Sequence, residues 1–223
     1  MPRFFVSNAQ IAGSTVTITG EDAHHISRSL RMAVGEHITV ADSTAVTYDC
    51  VLREFLPDAV RAEIVAAHIT TTEPPCPITL FQALPKGDKL DTVIQKAVEK
   101  KQARRNRIAA EAAKQCGRGI LPTVEASVDF DTMLQMAAAV DLVLFCFEGE
   151  GTTPISRVLR ERKLQSGKGI ALIVGSEGGF SLKEAEKAIA AGFIPVGLGP
   201  RILRTETAPI FALGCIAAEV ELL

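Results

Sequence analysis

The first third of the chain consists of short runs in which hydrophobic and polar residues alternate. Five runs are rich in β-branched residues and predict strands: "RFFVS", "TVTIT", "HITVAD", "TYDCVLREF" and "VRAEIVAA". One stretch, "GEDAHHISRSLRM", instead places Ile26 and Leu30 at helical spacing, with Asp22 as its predicted cap. Residues 1–72 are therefore predicted to form a small β-rich domain, either a barrel or a sandwich.

A different pattern follows the linker-like stretch "TTTEPPCP", which has three prolines and no apolar periodicity. From Ile78 onward, apolar runs typical of buried strands alternate with helical stripes. The predicted strands are "ITLFQAL", "DLVLFCF", "GIALIVG" and "FIPVGL". The predicted helices are "GDKLDTVIQKAVEK", "RIAAEAAKQCG", "TPISRVLRERKL", "SLKEAEKAIAAG" and "APIFALGCIAAEVELL". This alternation predicts an α/β domain over residues 73–223, built on a mainly parallel sheet.

Capping residues predict where two of these helices begin. Thr153 is the predicted cap of one helix, with Pro154 at the first helical position, where proline is tolerated. Ser181 and Glu184 have the spacing of a capping box at the start of another. Both signals support the predicted alternation of strands and helices.

The helical pattern breaks between Val98 and Ile108, where Ala103 is the one apolar residue. A single helix across 88–116 would lose its apolar stripe over this stretch. An α/β fold would also place a strand between the two helices. The pattern thus leaves open whether residues are missing near 99–101.

Composition narrows the class of protein. At 47% hydrophobic and 22% charged residues it is ordinary for a globular chain, and no apolar run approaches the length of a membrane span. The start "MPRFFVSN" lacks the apolar core of a secretory signal. Five scattered cysteines without a Cys-x-x-Cys pair favour a reducing cytoplasm and argue against structural zinc. The four histidines lack ligand-like neighbours, so no metal site is expected.

Charge is unevenly distributed although the net charge is only −2. Residues 1–72 carry five Lys/Arg against eight Asp/Glu, whereas residues 86–118 carry ten against four. Such a basic segment is either an electrostatic footprint for nucleic acid or a solvated helix face.

Two glycine-rich, acid-bearing turns follow neighbouring predicted strands: "VGSEGGF" at 174–180 and "GLGPRILRTETA" at 197–208. Neither matches the phosphate-binding loop patterns. A third loop, "EGEGTTP" at 148–154, follows "DLVLFCF". Because ligands bind outside the carboxyl ends of parallel strands, these three loops are the predicted site. Arg204 and Glu206 are its polar candidates, whereas Thr207 is first interpreted as a helix cap.

Two further polar groupings have a functional and a plain structural interpretation. Glu111, Gln115 and Arg118 have the spacing of one helical face. The two adjacent histidines, His24 and His25, with Arg28 and Arg31 form a polar face that either binds phosphates or is ordinary surface.

Several of these motifs together resemble the RsmE family of 16S ribosomal RNA uridine-N3 methyltransferases, which belong to the SPOUT superfamily. The resemblance is carried by "RFFV", "HHISRSLRM", "LPKGDKLDTVIQKAVE", "EAAKQCGRGILP", "IVGSEGGF" and "LGPRILRTETA". It covers almost the whole chain, except near Glu99–Lys101, where the family normally carries a further strand-bearing segment.

The resemblance implies a PUA-like RNA-binding domain over residues 1–72 and a methyltransferase domain with a deep trefoil knot over 73–223. It also implies a cytoplasmic homodimer that acts on the 16S rRNA of the 30S subunit without a metal. The implied cofactor is S-adenosyl-L-methionine, held in the knot. The implied cofactor-binding residues are Val174, Gly175, Glu177, Gly178, Leu198, Gly199, Ile202, Leu203, Thr207 and Ala208.

Catalytic roles follow from the same resemblance. Arg204 is expected to stabilise the developing uridine anion and to position the base, Glu206 to orient Arg204 or the base, and Arg118 to hold RNA phosphate or the target nucleotide. The expected RNA-binding residues are Arg3, His25, Arg28, Arg31, Lys86, Lys89, Gln115 and Arg118. Two alternatives stay open: a non-catalytic RNA-binding ribosome-assembly factor, and a SPOUT ribose 2′-O-methyltransferase.

Overall fold

The computed structural model describes residues 1–44, 46–84, 102–163 and 165–222, with side chains of the 102–116 helix described from Asn106. The chain forms two compact units. Unit 1 is Met1–Glu73 with Ala109–Thr123, and unit 2 is Pro74–Ile108 with Val124–Leu223. The division of the chain into an RNA-binding domain over residues 1–72 and a methyltransferase domain over residues 73–223 stays a prediction. The helix predicted within 88–101 and the junction near 99–101 lie outside the described residues.

Unit 1 is built on a six-stranded mixed sheet. Its strands are β1 (Arg3–Phe5), β2 (Ile11–Ala12), β3 (Thr15–Thr19), β4 (His37–Ala41), β5 (Val46–Phe55) and β6 (Ala59–Ile69). They lie in the order β1-β4-β5-β6-β3-β2, with β1 parallel to β4 and the other neighbours antiparallel. The β-rich first domain is therefore confirmed.

The core of unit 1 follows from the two-residue period of its strands. In β3, Val16 and Ile18 are buried and the threonines between them are not. The same alternation places one face of each strand in a single apolar cluster. That cluster includes Phe4, Ile26, Ile38, Val40, Cys50, Leu52, Val60 and Ala62.

The helical segment of unit 1 differs from its prediction in two respects. Helix α1 (Gly20–His24) continues into a π-helical turn, His25–Ser29, with Ile26 buried beneath it. Thr19, not Asp22, occupies the cap position. The Asp22 carboxylate instead pairs with Lys114 Nζ at 2.7 Å. Leu30 lies beyond the turn and is exposed, so its predicted place on the apolar side was wrong.

Helix α2 (Gln102–Cys116) ends at Gly117, whose φ of +78° is the left-handed conformation that glycine adopts without strain. The helix is therefore too short to include Arg118. The expectation that Arg118 shares a helical face with Glu111 and Gln115 was wrong for this reason.

Unit 2 contains a five-stranded sheet in which every neighbouring pair is parallel. Its strands are β7 (Ile78–Gln82), β8 (Leu142–Cys146), β9 (Thr153–Pro154), β10 (Ile170–Val174) and β11 (Ile194–Gly197), in the order β7-β10-β8-β11-β9. Strand β10 is buried along its whole length, because apolar clusters cover both faces of the sheet. The predicted mainly parallel α/β domain is confirmed.

Four helices of unit 2 are described: α3 (Phe130–Ala137), α4 (Ile155–Arg162), α5 (Leu182–Ala190) and α6 (Ala208–Glu221). The capping box of Ser181 and Glu184 is confirmed at α5. The start of α4 was predicted one residue early, because Pro154 is its cap and Thr153 belongs to a strand. Helix α3 was not predicted, although Asp129 caps it by accepting the Thr132 N–H at 2.8 Å.

Candidate active site

The three glycine-bearing loops emerge from adjacent strands of unit 2. Strands β10, β8 and β11 are neighbours, and all run in the same direction. Their carboxyl ends therefore lie side by side at one edge of the sheet, which is where parallel α/β sheets bind ligands. We call residues 175–181 the β10 loop and residues 198–207 the β11 loop.

The β10 loop makes a tight turn that requires glycine. A side chain on buried Gly175 would lie 3.1 Å from the Cα of Gly179, so the two segments can approach only without one. Gly179 has a φ of +65°, and its N–H donates to the Ser176 carbonyl at 3.0 Å. This turn leaves Glu177 and Gly178 exposed at its tip.

Val174, one of the predicted cofactor-binding residues, is part of the fold itself. Its side chain is in the apolar core, and its carbonyl accepts the Ala83 N–H at 2.9 Å. In the β11 loop, Leu198 and Leu203 pack against the same core, whereas Ile202 is 84% exposed. Of these two adjacent aliphatic residues, Leu203 therefore packs against the core and Ile202 does not.

A buried hydroxyl connects the two loops. The Thr205 side chain donates from Oγ1 to the carbonyl oxygen of Gly175 at 2.8 Å, and Thr205 is 6% exposed. Gln82, the last residue of β7, donates from Nε2 to Thr205 Oγ1 at 3.2 Å. Gln82 was not predicted from the sequence to belong to the site. A polar residue at the end of an apolar strand can nevertheless indicate such a position.

Arg204 and Glu206 flank Thr205 and have different surroundings. The Arg204 side chain is 83% exposed, and its Nη1 lies 3.9 Å from Glu206 Oε1. The Glu206 side chain is 18% exposed. Its Oε2 atom and Gln82 Oε1 are buried and have no hydrogen-bond partner within the described part of the chain. Buried acceptors of this kind call for a donor, such as a water molecule or a bound ligand.

The start of helix α6 closes the β11 loop. Thr207 is the cap residue, as predicted, but its side chain makes no capping bond. The N–H groups of Thr207 and Ala208 instead donate to the Arg204 carbonyl, at 2.8 and 2.9 Å. Gly199 has a φ of +106°, so the loop needs glycine there.

The loop after β8 shows no sign of nucleophilic chemistry. Burial raises the pKa of the Cys146 thiol to about 12, which keeps it protonated at neutral pH. Thr152 Oγ1 would lie 3.3 Å from a side chain at Gly197, so this loop packs closely against the end of β11.

Arg118 belongs to unit 1, whereas Arg204 and Glu206 belong to unit 2. Its Nη2 pairs with Glu73 Oε2 at 2.5 Å. The carbonyl of Arg118 accepts from Arg3 Nη1 at 3.0 Å, so Arg3 also has a structural partner. Gln115 is exposed on α2.

The other predicted RNA-binding residues divide into two groups. His25, Arg28 and Arg31 are exposed on one segment of unit 1, and across the described ranges neither arginine has an ion-pair partner. Lys86 and Lys89 lie outside the described residues. Within the described ranges, no three metal-ligating side chains cluster, and no helix is long and apolar enough to cross a membrane.

Comparison with known proteins gives matches over the whole chain. A family model described as an RNA methyltransferase domain matches residues 98–217, and one described as an RNA methyltransferase PUA domain matches residues 18–65. The ribosomal RNA small subunit methyltransferase E of Bacillus subtilis is 31% identical over 254 residues, with 100% of this chain and 98% of that protein covered. The protein of that name from Synechocystis is 32% identical, with 98% and 78% covered.

A solved structure of a relative supports the same family through its fold. The ribosomal RNA small subunit methyltransferase E from Neisseria gonorrhoeae, crystallised bound to S-adenosyl methionine, matches with a TM-score of 0.81 and 29% identity. The match covers 98% of this chain and 97% of that one. The chain therefore belongs to the RsmE family, the ribosomal RNA small subunit methyltransferases E, and combines a PUA domain with an RNA methyltransferase domain.

Proposed function

We propose that the protein transfers a methyl group from S-adenosylmethionine to N3 of a uridine in the 16S rRNA of the small ribosomal subunit. The observation that carries this proposal is the bond from Thr205 Oγ1 to the Gly175 carbonyl. It brings the β10 and β11 loops together at the edge of the sheet where α/β proteins bind ligands. Family membership and the cofactor-bound relative support the same function.

The residues present fit this cofactor. S-adenosylmethionine carries amino and hydroxyl donors, and the buried Glu206 Oε2 is an acceptor with no partner among the described residues. The absence of a side chain at Gly178 leaves open space beside the β10 loop, with no atom within 4 Å of where its Cβ would be. The residues proposed to hold the cofactor are Val174, Gly175, Glu177, Gly178, Leu198, Gly199, Ile202, Leu203, Thr207 and Ala208. When bound, the cofactor supplies a methyl group activated by the sulfonium charge.

The acceptor nitrogen determines what the chain must add. Neutral uridine carries a proton on N3, so the reaction needs that proton removed and the developing anion stabilised. Of the two arginines in the β11 loop, the exposed Arg204 is the one that lies beside Glu206, at 3.9 Å, which orients it. Both residues adjoin Thr205, whose side chain joins their loop to the β10 loop.

We assign Arg118 to RNA binding by unit 1 rather than to the methyl-transfer reaction. Its guanidinium is held by Glu73, and only part of it is exposed. With Arg28 and Arg31 it contributes positive groups to unit 1, and His25 adds a hydrogen-bonding side chain; we assign these residues to phosphate contacts. Lys86, Lys89 and Gln115 belong to the same proposal.

The trefoil knot, the homodimer and the cytoplasmic location are also part of the proposal. A dimer is supported by apolar surface near the site, because Phe211 on α6 is 45% exposed and Ile202 in the β11 loop more so. An exposed aliphatic next to a ligand loop is typical of a surface that a second subunit covers.

The test is methyl transfer by Arg204→Ala, with Arg201→Ala as the matched control. Arg201 is exposed in the same loop but is not ion-paired with Glu206. We expect Arg204→Ala to lower single-turnover methylation of 30S subunits about 10²- to 10³-fold, as when a charge-stabilising donor is removed. Arg201→Ala should stay within about threefold of the wild type. Equal rates for Arg204→Ala and the wild type would remove Arg204 from the mechanism.

A further inference from the structure

Three separate parts of unit 2 meet at one buried hydroxyl. Thr205 Oγ1 donates to the Gly175 carbonyl at 2.8 Å and accepts from Gln82 Nε2 at 3.2 Å. Gln82 Nε2 also lies 3.3 Å from the Gly175 carbonyl and 3.0 Å from that of Ala83. The cluster thus joins the end of β7, the β10 loop and the β11 loop.

The cluster depends on chemistry that threonine has and valine lacks. A hydroxyl can donate one hydrogen bond and accept another at the same atom, which is how Thr205 is used here. Valine has nearly the same shape but would leave the Gln82 amide and the Gly175 carbonyl short of a partner. A buried polar group without its partner carries a desolvation cost, so the loops would separate or admit water.

The position of the cluster relates it to the proposed chemistry. Gly175 and the residues on either side of Thr205 belong to the proposed cofactor and catalytic set. A cofactor that contacts two loops binds more tightly when both are already in place, because less ordering accompanies binding. The bond between Thr205 and Gly175 is therefore a means of ordering the cleft before the cofactor arrives.

We propose that Thr205 and Gln82 are positioning residues that hold the β10 and β11 loops in the arrangement that binds the cofactor. This inference rests on the proposed function and deepens it by identifying residues that set cofactor affinity without contributing to the transfer of the methyl group. Gln82 acts through its Nε2, while its Oε1 is left as an acceptor.

Calorimetric titration of the full chain with S-adenosylmethionine tests the inference. We expect Thr205→Val to weaken binding about 5- to 50-fold, from the loss of one buried hydrogen bond, and Thr205→Ser to stay within about threefold of the wild type. Thr79→Val is the matched control, since Thr79 is an exposed threonine of β7 in unit 2 and lies outside the proposed cofactor set. It should bind as the wild type does.

Steady-state methylation of 30S subunits separates positioning from chemistry. In Thr205→Val the KM for S-adenosylmethionine should rise with the dissociation constant, whereas kcat at saturating cofactor should stay within about threefold. Gln82→Met, which removes the amide at similar volume, should weaken binding in the same direction. Because the two side chains act on each other, the double variant should lose less affinity than the two single losses combined.

Each outcome bears on one claim. If the wild type takes up no S-adenosylmethionine with or without 30S subunits, the proposed function fails. If Thr205→Val and Gln82→Met both bind S-adenosylmethionine as tightly as the wild type does, the positioning role is overturned. This holds even if Thr205→Val unfolds at a lower temperature. If Thr205→Val does not fold, Gln82→Met and Thr205→Ser alone decide by the same criteria.

Discussion

At the scale of single residues, Glu73 shows how a partly buried carboxylate is stabilised. Burial alone would raise its pKa, but hydrogen bonds from Arg118 and from the N–H groups of Ile120 and Gly119 outweigh burial and lower the pKa. Two of these bonds are the Gly119 N–H at 2.9 Å and the Ile120 N–H at 3.0 Å, both to Oε1. The carboxylate therefore secures the turn after α2 to the rest of unit 1.

This arrangement predicts an acid-sensitive unit 1. The folded pKa of Glu73 lies below its unfolded value of about 4.3, so its contribution is full above that pH and is lost as the pH falls through the lower folded value. Tyr48 is the chain's single tyrosine, and there is no tryptophan, so tyrosine fluorescence reports unit 1. Denaturation followed by this signal at pH 7 and pH 3.5 should show a loss of stability that Glu73→Gln makes smaller.

The control is Glu63→Gln, whose carboxylate forms an exposed ion pair with Arg53. Exposed pairs contribute at most about 1 kcal/mol, so this variant should keep most of the acid sensitivity. The account of Glu73 is wrong if Glu73→Gln and the wild type lose the same stability on acidification.

At the scale of elements, Gly119 explains why residues 109–123 belong to unit 1. Gly119 is buried against Thr70, and a side chain there would lie 2.2 Å from Thr70 Oγ1. The preceding turn is also bonded to the segment before the linker, since Thr72 Oγ1 donates to the Gly117 carbonyl at 2.8 Å. The Thr70 side chain therefore occupies the space that a side chain at residue 119 would need.

Gly119→Ala should therefore destabilise unit 1 by about 2 kcal/mol or more, as overpacking does elsewhere. Urea denaturation followed by Tyr48 fluorescence measures the change. Gly178→Ala is a matched control, because no atom lies within 4 Å of its added Cβ and it belongs to unit 2. Equal midpoints for Gly119→Ala and Gly178→Ala would show that the contact with Thr70 does not matter.

Elements were predictable where local pattern determines them. A few neighbouring residues predict the structure in three cases: the alternation in β3, the continuous apolar run of β10 and the capping box at Ser181. Helix α3 was missed although it buries Met133 and Ala137 on one side and has Asp129 as its cap. The attachment of residues 109–123 to unit 1 depends on partners more than 40 positions away, such as Thr72 and Gly117, and no local pattern encodes it.

The candidate site was predictable in its loops but not in what connects them. Glycines at strand ends indicated where a ligand would bind. The role of Thr205 depends on Gln82, 123 positions away, and on a carbonyl of the β10 loop. Arg118 was misplaced because helical spacing was applied to it although it lies beyond Gly117, where the helix ends and φ is positive.

At the scale of the whole molecule, uneven charge predicts how RNA binding responds to salt. The net charge is −2, yet residues 86–118 carry ten Lys/Arg against four Asp/Glu. If three phosphates are neutralised, affinity for 16S rRNA should fall about tenfold or more between 50 and 200 mM salt. Filter binding at the two concentrations measures this, and the affinity for S-adenosylmethionine, measured in parallel, should change far less. An rRNA affinity that is constant over this range would argue against phosphate contacts.

The central claim is that two neighbouring loops bind the methyl donor and direct it to a base nitrogen. The most direct test incubates the protein and labelled S-adenosylmethionine with 30S subunits that lack the modification, digests the rRNA to nucleosides and identifies the labelled product by mass spectrometry. The account predicts a single labelled nucleoside, 3-methyluridine. A label on the ribose 2′-oxygen, or no labelled nucleoside at all, would contradict it.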